Sequence, residues 1–164
     1  MPFNRVHIIH DDPERECWHE AGHAVIARHF GMTVLAIGFS WVCGPSRDPN
    51  PSSWISTDGF DKEQIAVQVG AGIAAEVIKL GNYNAMSIGS DYEQWKNLNC
   101  ALPTIDDYVH KAIEILKERD AALMRVYERL MQERVKPSYS RFQDTVDHMW
   151  KQVLLTQEDF EALM

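Results

Sequence analysis

Apolar residues recur every three or four positions through most of the chain, and this spacing predicts a mainly helical protein. The first helix should cover about residues 13–30, with Asp12 as its N-cap, Pro13 in its first turn and Gly31 just after its end. Two further helices are expected at about 62–80 and 91–102. One long or broken helix should follow at 104–135, then a helix near 140–153 and a final short turn of helix capped by Thr156.

Two short stretches depart from the helical spacing. Residues 34–42 and 54–57 are rich in β-branched and aromatic side chains, which is typical of strands, and a Pro- and Ser-rich loop joins them. The predicted fold class is therefore mainly α, of the α+β type, with a small β element after the first helix. A length of 164 residues favours a single domain over 1–164.

Composition narrows the range of partners. A net charge of −8 argues against a nucleic-acid partner, because phosphate binding needs clustered Lys and Arg. No apolar run is long enough for a transmembrane segment, and the first residues lack the apolar core of a secretory signal. The three cysteines form no CxxC pair, which fits a reducing compartment. We expect a cytoplasmic protein with no membrane partner.

The first predicted helix contains an HExxH pattern, in the stretch HEAGH at 19–23. His19 and His23 are four positions apart, so both imidazoles lie on one face of a helix and can reach one metal ion. Glu20 lies beside them, where it can act on a water molecule without competing as a ligand. The pattern predicts a zinc site in which Glu20 is the general base. A second pair, His7 and His10, lies in an irregular segment and is not expected to bind metal.

A catalytic zinc ion needs a third protein ligand and an open fourth position. Two carboxylates are candidates for it. Glu76 lies in a helix rich in Gly and Ala that could pack closely through these small residues, and Asp91 follows Gly89 and Ser90 at the start of the third helix. An acidic residue there is also favoured by the helix dipole alone. Spacing by itself does not separate the two candidates.

Four blocks of the sequence resemble the FtsH family of ATP-dependent membrane zinc proteases. HEAGHAVIARHFG resembles the family's active-site helix, and GIAAEVIKLG at 72–81 is similar to its GGRxAEExxxG helix. SIGSDYEQWKNL at 87–98 resembles its STGASNDxxxATxxA segment. AIEILKERDAALMRVYERLM, followed by LTQEDFEAL, is similar in character to its C-terminal helices. The blocks follow the family's order and cover nearly the whole chain.

The resemblance implies an FtsH-peptidase-like zincin fold with Asp91 as the third zinc ligand. Glu76 would then lie nearby and steady a histidine ligand. Ile73 and Val77 depart from the family's arginine and second glutamate, and a segment at about 134–153 looks inserted. The chain also contains no GxxxxGK[ST] loop, so we expect no ATPase module and an ATP-independent activity. A homo-oligomer, or an ATPase partner acting in trans, is compatible with the sequence.

The function predicted is a zinc metalloendopeptidase that hydrolyses unfolded or flexible polypeptide. The strand at 34–42 could be an edge strand that pairs with extended substrate, or an ordinary half-buried strand. Two alternatives stay open. One is a regulatory zincin that cleaves a single protein, which Glu76 as the third ligand would favour. The other is a non-enzymatic interaction module in which zinc, or no metal, only holds the fold.

Overall fold

The structure, a computed structural model, describes residues 3–9, 12–42, 50–134, 141–144 and 149–164. Helices dominate it, with two small sheets, so the predicted α+β class with a small β element is confirmed. In chain order the elements are β1 (Arg5–Val6), α1 (Pro13–His29), β2 (Thr33–Val42), β3 (Asn50–Ser56), α2 (Lys62–Leu80), β4 (Tyr83–Asn84), α3 (Gly89–Leu98), α4 (Ile105–Glu118), α5 (Asp120–Arg134), β5 (Arg141–Asp144), β6 (Met149–Thr156) and α6 (Gln157–Leu163).

Helix α1 is the central element, and its bounds agree with the sequence. At its start, the side chain of Asp12 accepts a hydrogen bond of 3.2 Å from the backbone N–H of Arg15. At its end, Gly31 adopts a left-handed φ of 84°, which lets the N–H of Met32 donate to the carbonyl of Ala27. Every residue from 17 to 27 is buried. A helix buried on all sides must be enclosed by several other elements.

Helix α2 packs most closely on α1. A Cβ atom on Gly22 would lie under 3.0 Å from the carbonyl oxygen of Ala71 and from the Cβ of Ala75, so only glycine fits at this crossing. Helices α4 and α5 cover other sides with fully buried side chains such as Tyr108 and Leu123. The close crossing holds the small-residue stripe of α2 against the histidine-bearing face of α1.

The larger sheet is antiparallel, with strand order β3-β2-β6-β5. Strand β2 matches its predicted range, but it pairs with β3 on one side and β6 on the other. Of the two alternatives left open for this strand, the edge strand is therefore wrong, and within the described chain β3 is the edge strand on the side of α1. Strand β3 also begins at Asn50, four residues earlier than predicted. The loop residues 43–49 lie outside the described residues.

The helix predicted near 140–153 is wrong. The described residues of this segment form strands β5 and β6, and β6 pairs antiparallel with β2, with Trp150 opposite Trp41 in the register. Strand formation depends on a partner strand, here about a hundred residues away, which local periodicity does not reveal. Residues 135–140 and 145–148 of the segment interpreted as an insertion lie outside the described residues.

Helix α3 is shorter than the predicted range of about 91–102. It begins at Gly89 without a side-chain cap and ends at Leu98, before Asn99, whose φ of 50° is left-handed, so the predicted end near 102 is wrong. The element predicted at 104–135, one long or broken helix, is present in its broken form, with the break at Arg119 between α4 and α5. The final helix is capped by Thr156 as predicted. None of the helices in the described residues combines the length and apolar character needed to cross a bilayer.

Candidate metal centre

Three ligand atoms from α1 and α3 converge at one point. Nε2 of His19 lies 3.0 Å from Nε2 of His23 and 2.9 Å from Oδ2 of Asp91. The same carboxylate oxygen lies 3.3 Å from Nε2 of His23. Both histidines are buried and Asp91 is half-buried. Within the described chain, this is the one group of His, Cys, Asp and Glu side chains found that could hold a metal ion.

The spacing of these atoms fits a single ion. Ligand atoms bound tetrahedrally at about 2.0–2.1 Å from zinc are about 3.3 Å apart. The observed separations of 2.9–3.3 Å are close to that value. Two imidazole nitrogens and one carboxylate oxygen form a donor set that zinc and other first-row transition metals accept. The cluster can therefore hold a metal ion.

The backbone of α2 forms a wall of the site. A Cβ atom on Gly72 would lie under 3.0 Å from three ring atoms of His19, including Nε2. The glycine at this position therefore lets α2 approach the imidazole directly. This contact restricts the ring to a narrow range of positions at the convergence point. The run of small residues in α2 thus has a local role at the site as well as at the helix crossing.

A hydrogen bond at Nδ1 of His23 orients the other ring nitrogen, Nε2. Nδ1 of His23 lies 2.8 Å from the backbone carbonyl oxygen of Gln68, which can only accept a hydrogen bond. The proton of a neutral His23 ring is therefore on Nδ1, and the lone pair of Nε2 faces His19 and Asp91. A carbonyl behind a histidine ligand is a common means of fixing the tautomer and the ring orientation at metal sites.

Glu76 lies behind His19, on the side away from the three ligand atoms. One carboxylate oxygen, Oε2, is 3.9 Å from Nδ1 of His19, which is too long for a direct hydrogen bond. The backbone N–H of Asn84 donates to Oε2 at 3.2 Å, and Nη1 of Arg15 lies 3.8 Å from Oε1. With a side-chain exposure of 1%, Glu76 is a buried carboxylate held beside His19. It does not share the convergence point with Asp91.

Electrostatics favour protons on the histidines while no metal is bound. Burial lowers the pKa of His19, but the carboxylates of Asp91 and Glu76 outweigh it, and the pKa is raised well above 6.5. The pKa of His23 is also raised, because the attraction of Asp91 exceeds the effect of burial. Burial alone would raise the pKa of Asp91, but the two imidazoles hold it below its usual value. A metal ion must therefore displace protons in order to bind.

Glu20 is buried next to the cluster, and its carboxylate has a partner that sequence reasoning missed. The hydroxyl of Ser53, in the edge strand β3, donates to Oε2 of Glu20. Ser53 lies 33 residues from Glu20, in a stretch that the sequence assigned to a loop. No signal within the single sequence connects the two residues. The hydrogen bond fixes the direction of a carboxylate that the histidine spacing alone leaves free to rotate.

A cavity of about 340 Å³ opens beside these groups, between β3, α2 and α3. Ser53 and Gln68 both line it, so the partners of Glu20 and His23 form part of its wall. Helix α3, which carries Asp91, forms another part. The cavity therefore adjoins the candidate metal centre rather than a separate part of the molecule.

The structure thus brings together His19, His23 and Asp91, with Glu20 beside them and Glu76 behind His19. His7 is not part of this cluster, and its predicted neighbour His10 lies outside the described residues. No protein-family model matches the chain, and no curated protein matches it.

Proposed function

We propose that this protein is a zinc-dependent metalloendopeptidase that hydrolyses peptide bonds in unfolded or flexible polypeptide. The convergence of His19, His23 and Asp91 beside the carboxylate of Glu20 is the observation that carries this proposal. Three protein ligands leave a fourth position open, as in catalytic zinc sites, whereas structural zinc sites usually have four protein ligands. A site that only holds the fold has no need of a general base, the role that the HExxH pattern gives to Glu20.

Zinc fits the donor set and would supply Lewis-acid chemistry, polarising the scissile carbonyl and making a water molecule more acidic. The residues of the chain carry out the proton transfers. Glu20 takes a proton from the attacking water and passes it to the leaving amine nitrogen, so one carboxylate serves as base and then as acid. Ser53 holds Oε2 of Glu20 in place during this transfer.

The sheet offers a surface for extended substrate. Strand β3 is the edge strand beside α1, and its residue Ser53 contacts Glu20. A polypeptide that pairs with such an edge is held through its backbone, so recognition depends little on sequence. Several residues must be extended at once, which a folded domain rarely offers. We therefore assign substrate pairing to β3 rather than to β2, for which the sequence left this role open.

The resemblance to the FtsH family supports the same function, and we propose that the chain is a peptidase domain of that type. The position of Glu76, facing Nδ1 of His19, disfavours the alternative in which Glu76 is a metal ligand. The same position of Glu76 also disfavours the regulatory zincin with a single substrate, which Glu76 as the third ligand would favour.

The test uses the purified protein with a casein-like unfolded substrate and with a stable folded domain, each with and without zinc chelator and ATP. We expect slow cleavage of the unfolded substrate alone, which chelation abolishes, zinc restores and ATP leaves unchanged. The variant Glu20→Gln controls for a contaminating protease. The absence of cleavage by zinc-loaded protein, or equal cleavage by Glu20→Gln, would overturn the proposal.

A further inference from the structure

We propose that Asn84 is a positioning residue that couples the segment preceding α1 to the metal ligand His19, and that it acts through Glu76. The inference rests on the metal centre of the proposed function, but not on the cleavage of polypeptide. Asn84 is 7% exposed and lies in β4, which pairs with β1 of the segment 3–9. Its side chain contacts that segment, and its backbone contacts Glu76.

The side-chain amide of Asn84 binds both backbone polar groups of one residue, Ile8. Oδ1 of Asn84 accepts a hydrogen bond of 2.9 Å from the N–H of Ile8, and Nδ2 donates to the carbonyl of Ile8 at 3.0 Å. Oδ1 also accepts from the backbone N–H of Met86 at 3.2 Å. An amide that satisfies the donor and the acceptor of one residue acts as a neighbouring strand would. The side chain of Asn84 therefore fixes the position of Ile8 relative to β4.

Backbone pairing extends this contact along β1. Strands β1 and β4 are parallel, and Val6 lies opposite Asn84 in the register. The N–H of Tyr83 donates to the carbonyl of Asn4 at 3.0 Å, and the N–H of Ala85 donates to the carbonyl of Val6 at 2.9 Å. These two bonds flank Asn84, so the segment holds the backbone of Asn84 on both sides. A pair of two-residue strands has little stability of its own, so the side-chain bonds of Asn84 help to keep the pair together.

The backbone N–H of Asn84 reaches the carboxylate behind the metal ligand. It donates to Oε2 of Glu76 at 3.2 Å, and the same oxygen faces Nδ1 of His19 at 3.9 Å. Within the described chain, Nδ1 of His19 is buried without a hydrogen-bond partner, so Glu76 acts on it through charge. A negative charge beside Nδ1 favours a proton on that nitrogen and leaves the lone pair of Nε2 for a metal ion. A shift of the Asn84 backbone would move Oε2 and weaken this effect.

Arg15 holds the other oxygen of the same carboxylate. Its buried guanidinium lies 3.8 Å from Oε1 of Glu76, and it donates to the backbone carbonyl and the side-chain oxygen of Asn82 at 3.2 and 2.7 Å. Glu76 is thus held between Arg15 on α1 and Asn84 on β4. Asn84 is the one bonded to the segment 3–9, so it carries the coupling to that segment.

The first test compares two proline variants of the full chain. Ile8→Pro removes the N–H that donates to Oδ1 of Asn84, whereas Ile9→Pro makes the same change one residue later, at a position that is 89% exposed. Competition with a chromophoric chelator measures the affinity of each variant for zinc. We expect Ile8→Pro to lower the affinity about tenfold, the lower end of the range for groups behind a metal ligand, and Ile9→Pro to leave it unchanged. Equal affinities of the two variants would overturn the coupling.

A double-mutant cycle tests whether Asn84 acts through Glu76. Asn84→Ala removes three side-chain hydrogen bonds and should lower the affinity for zinc about tenfold or more. In a chain that already carries Glu76→Gln, the same change should cost less than about twofold, because the group through which Asn84 acts has lost its charge. Asn4→Ala, at an exposed residue of the same segment, is the control and should leave the affinity unchanged. An equal loss in both backgrounds would mean that Asn84 only supports the fold, which contradicts the proposal.

Ring-nitrogen NMR signals of the two histidines separate positioning from a general loss of structure. Nδ1 of His23 is held by the carbonyl oxygen of Gln68 rather than by Glu76. In zinc-loaded Asn84→Ala we therefore expect the Nδ1 signal of His19 to shift and that of His23 to stay unchanged. A shift of both signals by the same amount, or of neither, would overturn the proposal.

These measurements distinguish the coupling from the proposed peptidase function. Coupling in a protein that cleaves nothing would leave the inference in place and overturn the peptidase function. Zinc-dependent cleavage by a protein whose affinity for zinc is the same in Ile8→Pro and Asn84→Ala would leave the peptidase function in place and overturn the coupling. A wild-type chain that binds no zinc would overturn both.

Discussion

Gly72 and His19 are in contact in a way that allows no side chain between them. A Cβ atom at position 72 would lie under 3.0 Å from Nε2, Cε1 and Cδ2 of His19. Real Cβ atoms essentially never approach other atoms so closely, so the imidazole or the helix would have to move. Because Nε2 of His19 is also 2.9 Å from Asp91, any movement of the ring disturbs the candidate metal centre.

Gly72→Ala should therefore weaken metal binding even though alanine favours helices by about 1 kcal/mol over glycine. We expect a loss of affinity of at least about tenfold, similar to that caused by changes behind metal ligands. Isothermal titration with zinc measures it. Gly89→Ala is the matched control, because a Cβ atom there meets nothing within 4 Å. Similar affinities for the two variants would show that α2 does not fix the ring.

Glu20→Gln should abolish catalysis while leaving zinc bound. A general base contributes about 10²–10⁴-fold to a rate, and glutamine cannot accept the proton of the attacking water. Peptide cleavage and zinc content are measured on the same sample. A variant that retains the wild-type rate would mean that Glu20 is not the base, and one that loses zinc would mean that Glu20 acts as a ligand.

Asp91→Asn and Glu76→Gln should have different effects on metal affinity. The oxygen of Asp91 lies at the convergence point, whereas Glu76 reaches only to 3.9 Å from Nδ1 of His19. Glu76→Gln should cost about 10–100-fold, the range for groups behind a ligand, and Asp91→Asn should cost more. Competition with a chromophoric chelator measures the metal affinity of both variants. The control is Glu93→Gln, because Glu93 is exposed and lies on α3, the helix that carries Asp91. The reverse order of effects would identify Glu76 as the ligand.

Ser53→Ala should lower the turnover number and leave zinc content unchanged, because Ser53 donates a hydrogen bond to Glu20 and is not one of the three residues that could hold the metal. A decrease of about tenfold is expected for the loss of one positioning hydrogen bond. Ser56→Ala, near the end of the same strand, is the control. An unchanged turnover number in Ser53→Ala would show that the carboxylate is held by other contacts.

The metal-free protein should become less stable as the pH rises above about 6.5. The raised pKa of His19 in the folded state means that its contribution is complete below 6.5 and is lost as the pH rises through the folded-state pKa. The lowered pKa of Asp91 acts at the acid end, where its contribution is lost as the pH falls below 3.8.

Urea unfolding with chelator present, from pH 6 to 9, measures this decrease. Saturating zinc should reverse the trend over the same range, because the ion competes with protons for the histidines. His19→Gln should make the decrease in stability with pH smaller. His29 is an exposed residue of the same helix, and His29→Gln should leave the decrease unchanged. If the metal-free protein gains stability from pH 6 to 9, the conclusion that its histidines carry protons is wrong.

The sequence by itself determines those features that depend on neighbours along the chain. The ends of α1 follow from Asp12, Pro13 and Gly31, and the shared face of His19 and His23 follows from their four-residue spacing. These features are set by backbone hydrogen bonds and helix geometry within one element. The same holds for α2, which begins after Asp61 and ends at Gly81, whose φ is 77°.

Contacts between distant segments were decided only by the tertiary structure. Local spacing leaves both Glu76 and Asp91 open as partners of the histidines, and the packing of α2 and α3 on α1 puts one behind His19 and the other at its Nε2. Strand β6 could not be recognised from its own residues, because its hydrogen-bond partners lie in β2. Ser53 reaches Glu20 for the same reason: β3 pairs with β2 and thereby lies along α1. Periodicity reports which face of an element is apolar, but only packing decides which other element meets that face.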